Sequence, residues 1–215
     1  MKEKKILLTG ASGYIASDLI YRLNSFQIIG VDLINSENVL CHEDIASKRF
    51  KTHIEKYKNT EFIVINLAAA RFDFGATADQ YYKLNVECHE KFLENISDLP
   101  VSKFIHISSV AAIDGSKIVF SSDLSCDDAY RSTKSLQEKC IQKWCKSNKI
   151  ELYIMYPSAV FSPEQRKDTN IGKLQKISQY VPFIPSIKVK KSLTFLPDFS
   201  NFIKGSVYGK IKAGS

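Results

Sequence analysis

The sequence predicts an α/β fold, a parallel sheet covered on both faces by helices, on three observations. Short runs of Ile, Val, Leu and Phe alternate with helix-like segments through the first three quarters of the chain, the pattern of a sheet whose strands are joined by crossover helices. Five of these runs are short and apolar enough for strands buried on both faces. The first of them, in KKILLTGASGYIASDLI (residues 4 to 20), passes through glycines straight into a helical pattern.

Taken in order, the expected strands are Lys5 to Thr9, Gln27 to Asp32, Phe62 to Asn66, Lys103 to Ser108 and Glu151 to Tyr156. Helices are expected at about 13 to 24, 46 to 58, 78 to 97 and 127 to 148. The last carries Leu136, Cys140, Ile141 and Trp144 at three- and four-residue spacing, which gives it one apolar face. After Tyr156 the alternation loosens, and Pro157, Pro163, Pro182, Pro185 and Pro197 punctuate a basic segment. Two units are therefore expected, a sheet domain over 1–163 and a small lobe over 164–215.

Composition narrows the function classes. A chain of 215 residues with 44% apolar content suffices for one sizeable core. No stretch approaches the roughly 18 consecutive apolar residues of a membrane span. The five cysteines are odd in number and form no CxxC pair, which argues against a disulfide framework and a zinc finger. His42, His53, His89 and His106 show no metal-ligand spacing, so no metal is expected; His106 reads as a strand residue and Trp144 as a helix-packing one. A soluble, cytoplasmic protein is the expectation. The net charge of +7 is uneven: residues 1 to 163 carry 20 Lys plus Arg against 20 Asp plus Glu, and residues 164 to 215 carry 10 against 3. Without an arginine-rich run this reads as a lysine-rich solvated surface rather than a nucleic-acid site.

Four constellations can carry chemistry. TGASGYIA follows a strand and opens a helix with the spacing G-x-x-G-x-x-A: Gly10 allows the turn, Gly13 removes a side chain where a phosphate approaches, and Ala16 keeps helix and strand close. Alone, this is as consistent with an ordinary strand–helix turn as with a phosphate cradle. Asp32 closes the second strand 22 residues after Gly10, where a carboxylate can accept both adenosine ribose hydroxyls and repel a 2′-phosphate. No Lys or Arg follows it in DLINSEN, so NAD is preferred to NADP. Tyr130 and Lys134 lie four apart in AYRSTK and share a helical face; an ammonium there favours the phenolate of a tyrosine that must exchange a proton near neutral pH. Ser108 and Ser109 end a strand, where a hydroxyl can hold a substrate oxygen, or merely satisfy strand-end backbone groups.

The ordered set TGASGYIA, Asp32, NLAAA, Asn85, HISS, Tyr130 with Lys134, and YPSAVFSP resembles the extended short-chain dehydrogenase/reductase superfamily, specifically the NAD-dependent epimerase/dehydratase family that acts on nucleotide sugars. It covers residues 4 to 163, and SLTFLPDFSNFI resembles a later family segment. The resemblance implies a Rossmann-type doubly wound parallel sheet with a small C-terminal substrate lobe, here shortened. It also implies roles. Gly10, Gly13, Tyr14 and Ile15 would line the pyrophosphate, Asp32 the adenosine ribose, and Asp44 with Ile45 the adenine ring. Leu67, Ala68 and Ala69 would flank the middle of NAD, and Asn85 would brace the core. Ser109, Tyr130 and Lys134 would form the catalytic trio, Lys134 also holding the nicotinamide ribose, while Tyr156, Pro157 and Ser158 would edge the nicotinamide.

Departures from the family pattern are informative. Tyr156 stands where an arginine is common, and Ser162 where the later turn has a glycine. Val110 and Ala111 stand where 4,6-dehydratases carry an Asp-Glu pair, which disfavours dehydration. The expected activity is hydride transfer at a sugar carbinol carbon, in an epimerase or a dehydrogenase, with Lys173, Lys176, Lys188, Lys190 and Lys191 meeting a nucleotide diphosphate. The expected partner is a nucleotide sugar, with neither nucleic acid nor membrane; a homodimer is common in the resembled family. The alternative is a non-catalytic NAD-binding protein without a complete substrate lobe.

Overall fold

The computed structural model describes residues 4–71, 75–164, 170–178, 180 and 192–212. All five expected strands form, joined by one more: β1 (Lys4–Thr9), β2 (Gln27–Asp32), β3 (Cys41–His42), β4 (Glu61–Asn66), β5 (Val101–Ile107) and β6 (Glu151–Met155). They make a six-stranded parallel sheet in the order β3-β2-β1-β4-β5-β6. The order reverses between β1 and β4, and in doubly wound sheets ligands bind at such a switch point, outside the carboxyl ends of the strands.

Helices cover both faces. The chain carries α1 (Tyr14–Arg22), α2 (Lys48–Ile54), α3 (Ala78–Tyr82), α4 (Cys88–Asn95), α5 (Val110–Gly115), α6 (Cys126–Ser147), α7 (Asn170–Ser178) and α8 (Leu196–Val207). Alternate strand residues feed two cores. Leu7, Ile29, Val31, Phe62, Val64 and Phe104 pack with Phe50 of α2, Phe92 of α4 and Ile141 of α6. Ile6, Leu8, Ile63, Ile65 and Ile105 face Leu19 of α1 with Phe199 and Ile203 of α8. Trp144 packs edge-on against Phe104, ring centroids 6.0 Å apart, in the helix-packing role expected of it.

The single helix expected over 78–97 is α3 and α4 joined through a π-helical turn, Lys83–Glu87. A capping box starts it: Thr77 Oγ1 accepts from Gln80 N, and the Gln80 side chain accepts from Thr77 N.

The end of the chain returns to the sheet. Across the expected boundary at residue 163, β7 (Ala159–Phe161) pairs in parallel with β8 (Leu193–Phe195). Then α8 docks beside α1, burying Phe199, Ile203 and Val207 in the second core. The Lys103 ammonium donates to Ser206 O at 2.5 Å, at the carboxyl end of α8, where a cation complements the helix dipole. Tyr153 Oη donates to Ile211 O at 2.8 Å. Residues 196–212 are thus packed as part of the sheet unit.

α5 and α6 meet at a point only glycine tolerates. A Cβ on Gly115 would lie 1.9 Å from Arg131 O and 3.0 Å from Ser132 N, and Ser132 Oγ donates to Ile118 O at 3.1 Å. Gly115→Ala is expected to lower stability by about 1–3 kcal/mol by forcing the two helices apart. Urea denaturation measures this; an unchanged midpoint would show that the contact yields freely.

Candidate active site

Four loops converge on the carboxyl edge of the sheet. The turn after β1 is held by Gly10 N donating to Val31 O at 2.9 Å. Gly10 adopts φ +71°, and a Cβ there would lie 2.9 Å from Ala68 N, so this residue gives both the left-handed turn and the close approach of the loop after β4. That loop is tied down by Leu67 N donating to Thr9 O at 3.2 Å and Ala68 N donating to Thr9 Oγ1 at 3.2 Å. Ala69 is exposed beside them.

Gly13 caps α1 without a side-chain acceptor, and no acidic residue stands in the first turn. The opening amides of α1 are therefore oriented for an anion. Ser12 donates its N–H and its hydroxyl to Asp32 Oδ2 at 3.0 and 2.8 Å, and Ile34 N donates to Oδ1 at 3.1 Å. A carboxylate has about four acceptor sites, so this aspartate is fixed with one site left for a ribose hydroxyl. Asp44 Oδ1 accepts from Ala46 N at 2.8 Å. The Ile45 side chain is buried in the first core, which leaves its backbone to meet a ring. Tyr14 Oη donates to Ser162 Oγ at 2.5 Å, joining the start of α1 to the segment after β7. A phosphate cradle, a fixed carboxylate and an edge loop fit a dinucleotide.

The other end of the crevice is built on α5 and α6. Ser108 and Ser109 diverge just past β5. Ser109 caps α5, its Oγ accepting from Ala111 N at 3.3 Å, and remains half-buried. Ser108 turns inward and donates to Glu138 Oε1. Tyr130 is half-buried, its ring packed edge-on against Tyr81 at 5.9 Å between centroids. Lys134, one turn on, is 1% exposed and donates to Gln137 Oε1 at 2.5 Å and Ile107 O at 3.5 Å. Burial pushes the Lys134 ammonium down to about 8, with Glu138 opposing the shift. A depressed but still largely charged ammonium one turn from a phenol suits proton exchange near neutral pH.

Asn85, in the π turn, accepts from Ala70 N at 2.8 Å and donates to Thr133 Oγ1 at 3.2 Å, so it ties the loop after β4 to α6. Past β6, Pro157 O accepts from Val110 N at 3.2 Å, and Ser158 binds Thr194 through its backbone and hydroxyl at 3.0 and 2.9 Å. Tyr156 Oη donates to Glu138 Oε2 at 3.1 Å. Burial, the Glu138 charge and that hydrogen bond push the Tyr156 phenol up to about 12, so it remains a neutral donor.

Sequence reasoning did not find Gln137, Glu138 and His89. The first two sit three and four residues after Lys134, a spacing that places them on its face and was legible. His89 reaches Gln137 from α4 through tertiary packing alone. His106 lies in β5 as expected, and its partners show more. Thr9 donates its hydroxyl to Asn66 Oδ1 at 2.5 Å, so the Asn66 amide faces His106 Nδ1 at 3.2 Å. The imidazole proton is then on Nε2. Burial, with Lys134 and His89 nearby, holds His106 well below its ordinary range. Of the lysines expected to meet a diphosphate, Lys173 and Lys176 are exposed on α7; Lys188, Lys190 and Lys191 lie outside the described residues.

Among the described residues no helix is long and apolar enough to cross a membrane. A family model described as "NAD dependent epimerase/dehydratase family" matches residues 6–194. An uncharacterised UDP-glucose epimerase of Bacillus subtilis (strain 168) is 27% identical over 199 residues, which cover 80% of this chain and 61% of that protein. The human dTDP-D-glucose 4,6-dehydratase is 23% identical, over 82% of this chain and 57% of its own length. The chain thus spans about three fifths of the length of these curated relatives. Among solved structures, the UDP-glucuronic acid 4-epimerase of Bacillus cereus, in complex with UDP-glucuronic acid and NAD, shares the fold at TM-score 0.73 and 22% identity, over 97% of this chain and 74% of that one. A UDP-N-acetylglucosamine 4-epimerase of Methanobrevibacter ruminantium M1 aligns at TM-score 0.74 and 19% identity, over 99% and 76% of the two chains.

Proposed function

Because the chain belongs to the NAD dependent epimerase/dehydratase family, we propose that it is an NAD-dependent enzyme acting on a nucleotide sugar by hydride transfer at a sugar carbinol carbon, as an epimerase or a dehydrogenase. The observation that carries this reading is the placement of Tyr130 and the buried Lys134 at the same sheet edge as the glycine turn and Asp32. The relatives' names, UDP-sugar epimerases among them, support the substrate class.

NAD, when bound, supplies the hydride acceptor. The chain's own residues do the rest. Amides at the start of α1 hold the pyrophosphate, and Asp32 accepts an adenosine ribose hydroxyl. Two of the three Lys134 ammonium hydrogens have acceptors among the described residues, and the third is available to the nicotinamide ribose. Tyr130, as phenolate, takes the sugar hydroxyl proton, while the Ser109 hydroxyl holds the same oxygen. Tyr156, Pro157 and Ser158 close the nicotinamide edge. Val110 and Ala111, directly after Ser109, bring no carboxyl group to remove water, so dehydration is not the proposed outcome. Lys173 and Lys176 meet the substrate diphosphate.

Two measurements test this. Titration of the purified chain should show NAD bound in preference to NADP, and Asp32→Ala should weaken NAD binding roughly 10- to 100-fold, as expected for losing a charged hydrogen bond of about 1.5–3 kcal/mol. A panel of nucleotide sugars should then give reduced-cofactor absorbance or isomer exchange. Equal affinity for NAD and NADP would overturn the cofactor assignment, and NAD binding without turnover would favour the non-catalytic alternative.

A further inference from the structure

The buried side of Lys134 carries a polar chain that ordinary core packing does not require. Gln137 is 0% exposed and His89 1%. Lys134 Nζ meets Gln137 Oε1 at 2.5 Å, Gln137 Nε2 meets His89 Nε2 at 2.7 Å, and His89 Nδ1 meets Leu84 O at 3.2 Å.

The donors fix the direction of this chain, and Ala68 O lies 3.5 Å from Gln137 Nε2 as a second acceptor for that amide. An ammonium can only donate, so Gln137 must turn its oxygen to Lys134 and its NH2 to His89. His89 Nε2 must then be bare, and its proton sits on Nδ1, donating to a carbonyl that can only accept. Burial and the neighbouring Lys134 charge lower His89 to about 3, so the imidazole stays neutral over the working range and the amide has no reason to turn. The chain ends at Leu84, inside the π turn Lys83–Glu87 that also carries Asn85. Such turns concentrate at functional sites.

We propose that Gln137 and His89 are positioning residues for Lys134: the neutral imidazole locks the glutamine amide, and the amide oxygen fixes the place and direction of the ammonium. This rests on the reading of Lys134 as the residue that acts on Tyr130 and the nicotinamide ribose. The two residues act through Lys134. A plain apolar filling would pack equally well, but would leave the buried ammonium short of an acceptor, at a cost of several kcal/mol for an unpaired buried charge.

The charged and titratable groups coupled to the ammonium are Glu138 from α6, His89 from α4 and His106 from β5. The test follows the Lys134 ionisation in the cofactor-free chain by NMR titration of isotope-labelled lysine, with Lys134→Met identifying the resonance. It needs neither NAD nor a substrate, so its outcome is separable from that of the enzyme reading. Gln137→Glu places an anion at the same atom and should raise the midpoint by about one unit or more. Gln137→Leu removes the acceptor and should lower it, and His89→Leu, which removes one of the two groups that hold the amide nitrogen, should lower it by less. Gln137→Glu keeps the side-chain shape, so the comparison holds even if the leucine variants do not fold. A Lys134 midpoint that does not move in folded Gln137→Glu would overturn the proposal.

Discussion

Tyr130→Phe should lower turnover of the accepted nucleotide sugar by roughly 10²–10⁴-fold, the range that a positioned general acid–base group contributes, while NAD affinity stays within a few-fold. The phenyl ring keeps the edge contact with Tyr81, so the fold has little reason to respond. Only the hydroxyl proposed to exchange a proton is removed. Steady-state kinetics alongside NAD titration separates the two effects, and turnover indifferent to this change would sink the assignment of Tyr130 as the base.

Lys134→Met should also lower turnover by roughly 10²-fold or more, because the phenolate loses the cation that favours it, and it should leave a mark on stability. The ammonium ionises at 10.5 in the unfolded chain and at about 8 when folded, so the unfolded chain binds the proton more tightly. Stability therefore rises with pH through the window from about 8 to 10.5. The shift corresponds to about 3 kcal/mol, present above the window and absent at neutral pH. Denaturation of the chain and its Lys134→Met variant side by side cancels the tyrosines and cysteines that titrate nearby. The difference in stability between them should grow by that amount across the window. Parallel curves would mean that the folded chain does not depress this lysine.

Elements with a strong local signal were legible in the sequence. The five strands form continuous apolar runs, and α6 repeats an apolar face over 22 residues. The misses share a physical cause. β3 is two residues long and exists because β2 offers it an edge, as β7 and β8, three residues each, exist by pairing with one another. α5 has six residues and is held by the Ser109 cap and the contact at Gly115. α8 lies within the proline-punctuated segment, and Pro197 stands in its first turn, where proline starts helices rather than ending them. The proposed site rests on residues that spacing picks out, the glycines, Asp32, Tyr130 and Lys134. The groups around Lys134 divide: Gln137 and Glu138 share its helical face, while His89 and His106 come from other elements, and their identities alone suggest only ordinary buried histidines.

The in-register pairing of β7 with β8 has a consequence for how such a chain tolerates change. Ala159 faces Leu193 and Phe161 faces Phe195, so residues 34 positions apart in the chain are held at adjacent places. Just before β7, Ser158 binds Thr194 of β8 through its backbone and hydroxyl, and just after β8, α8 packs into the second core. A substitution in either short strand is therefore felt on two sides at once, at the turn after β6 and at the helix that closes the sheet.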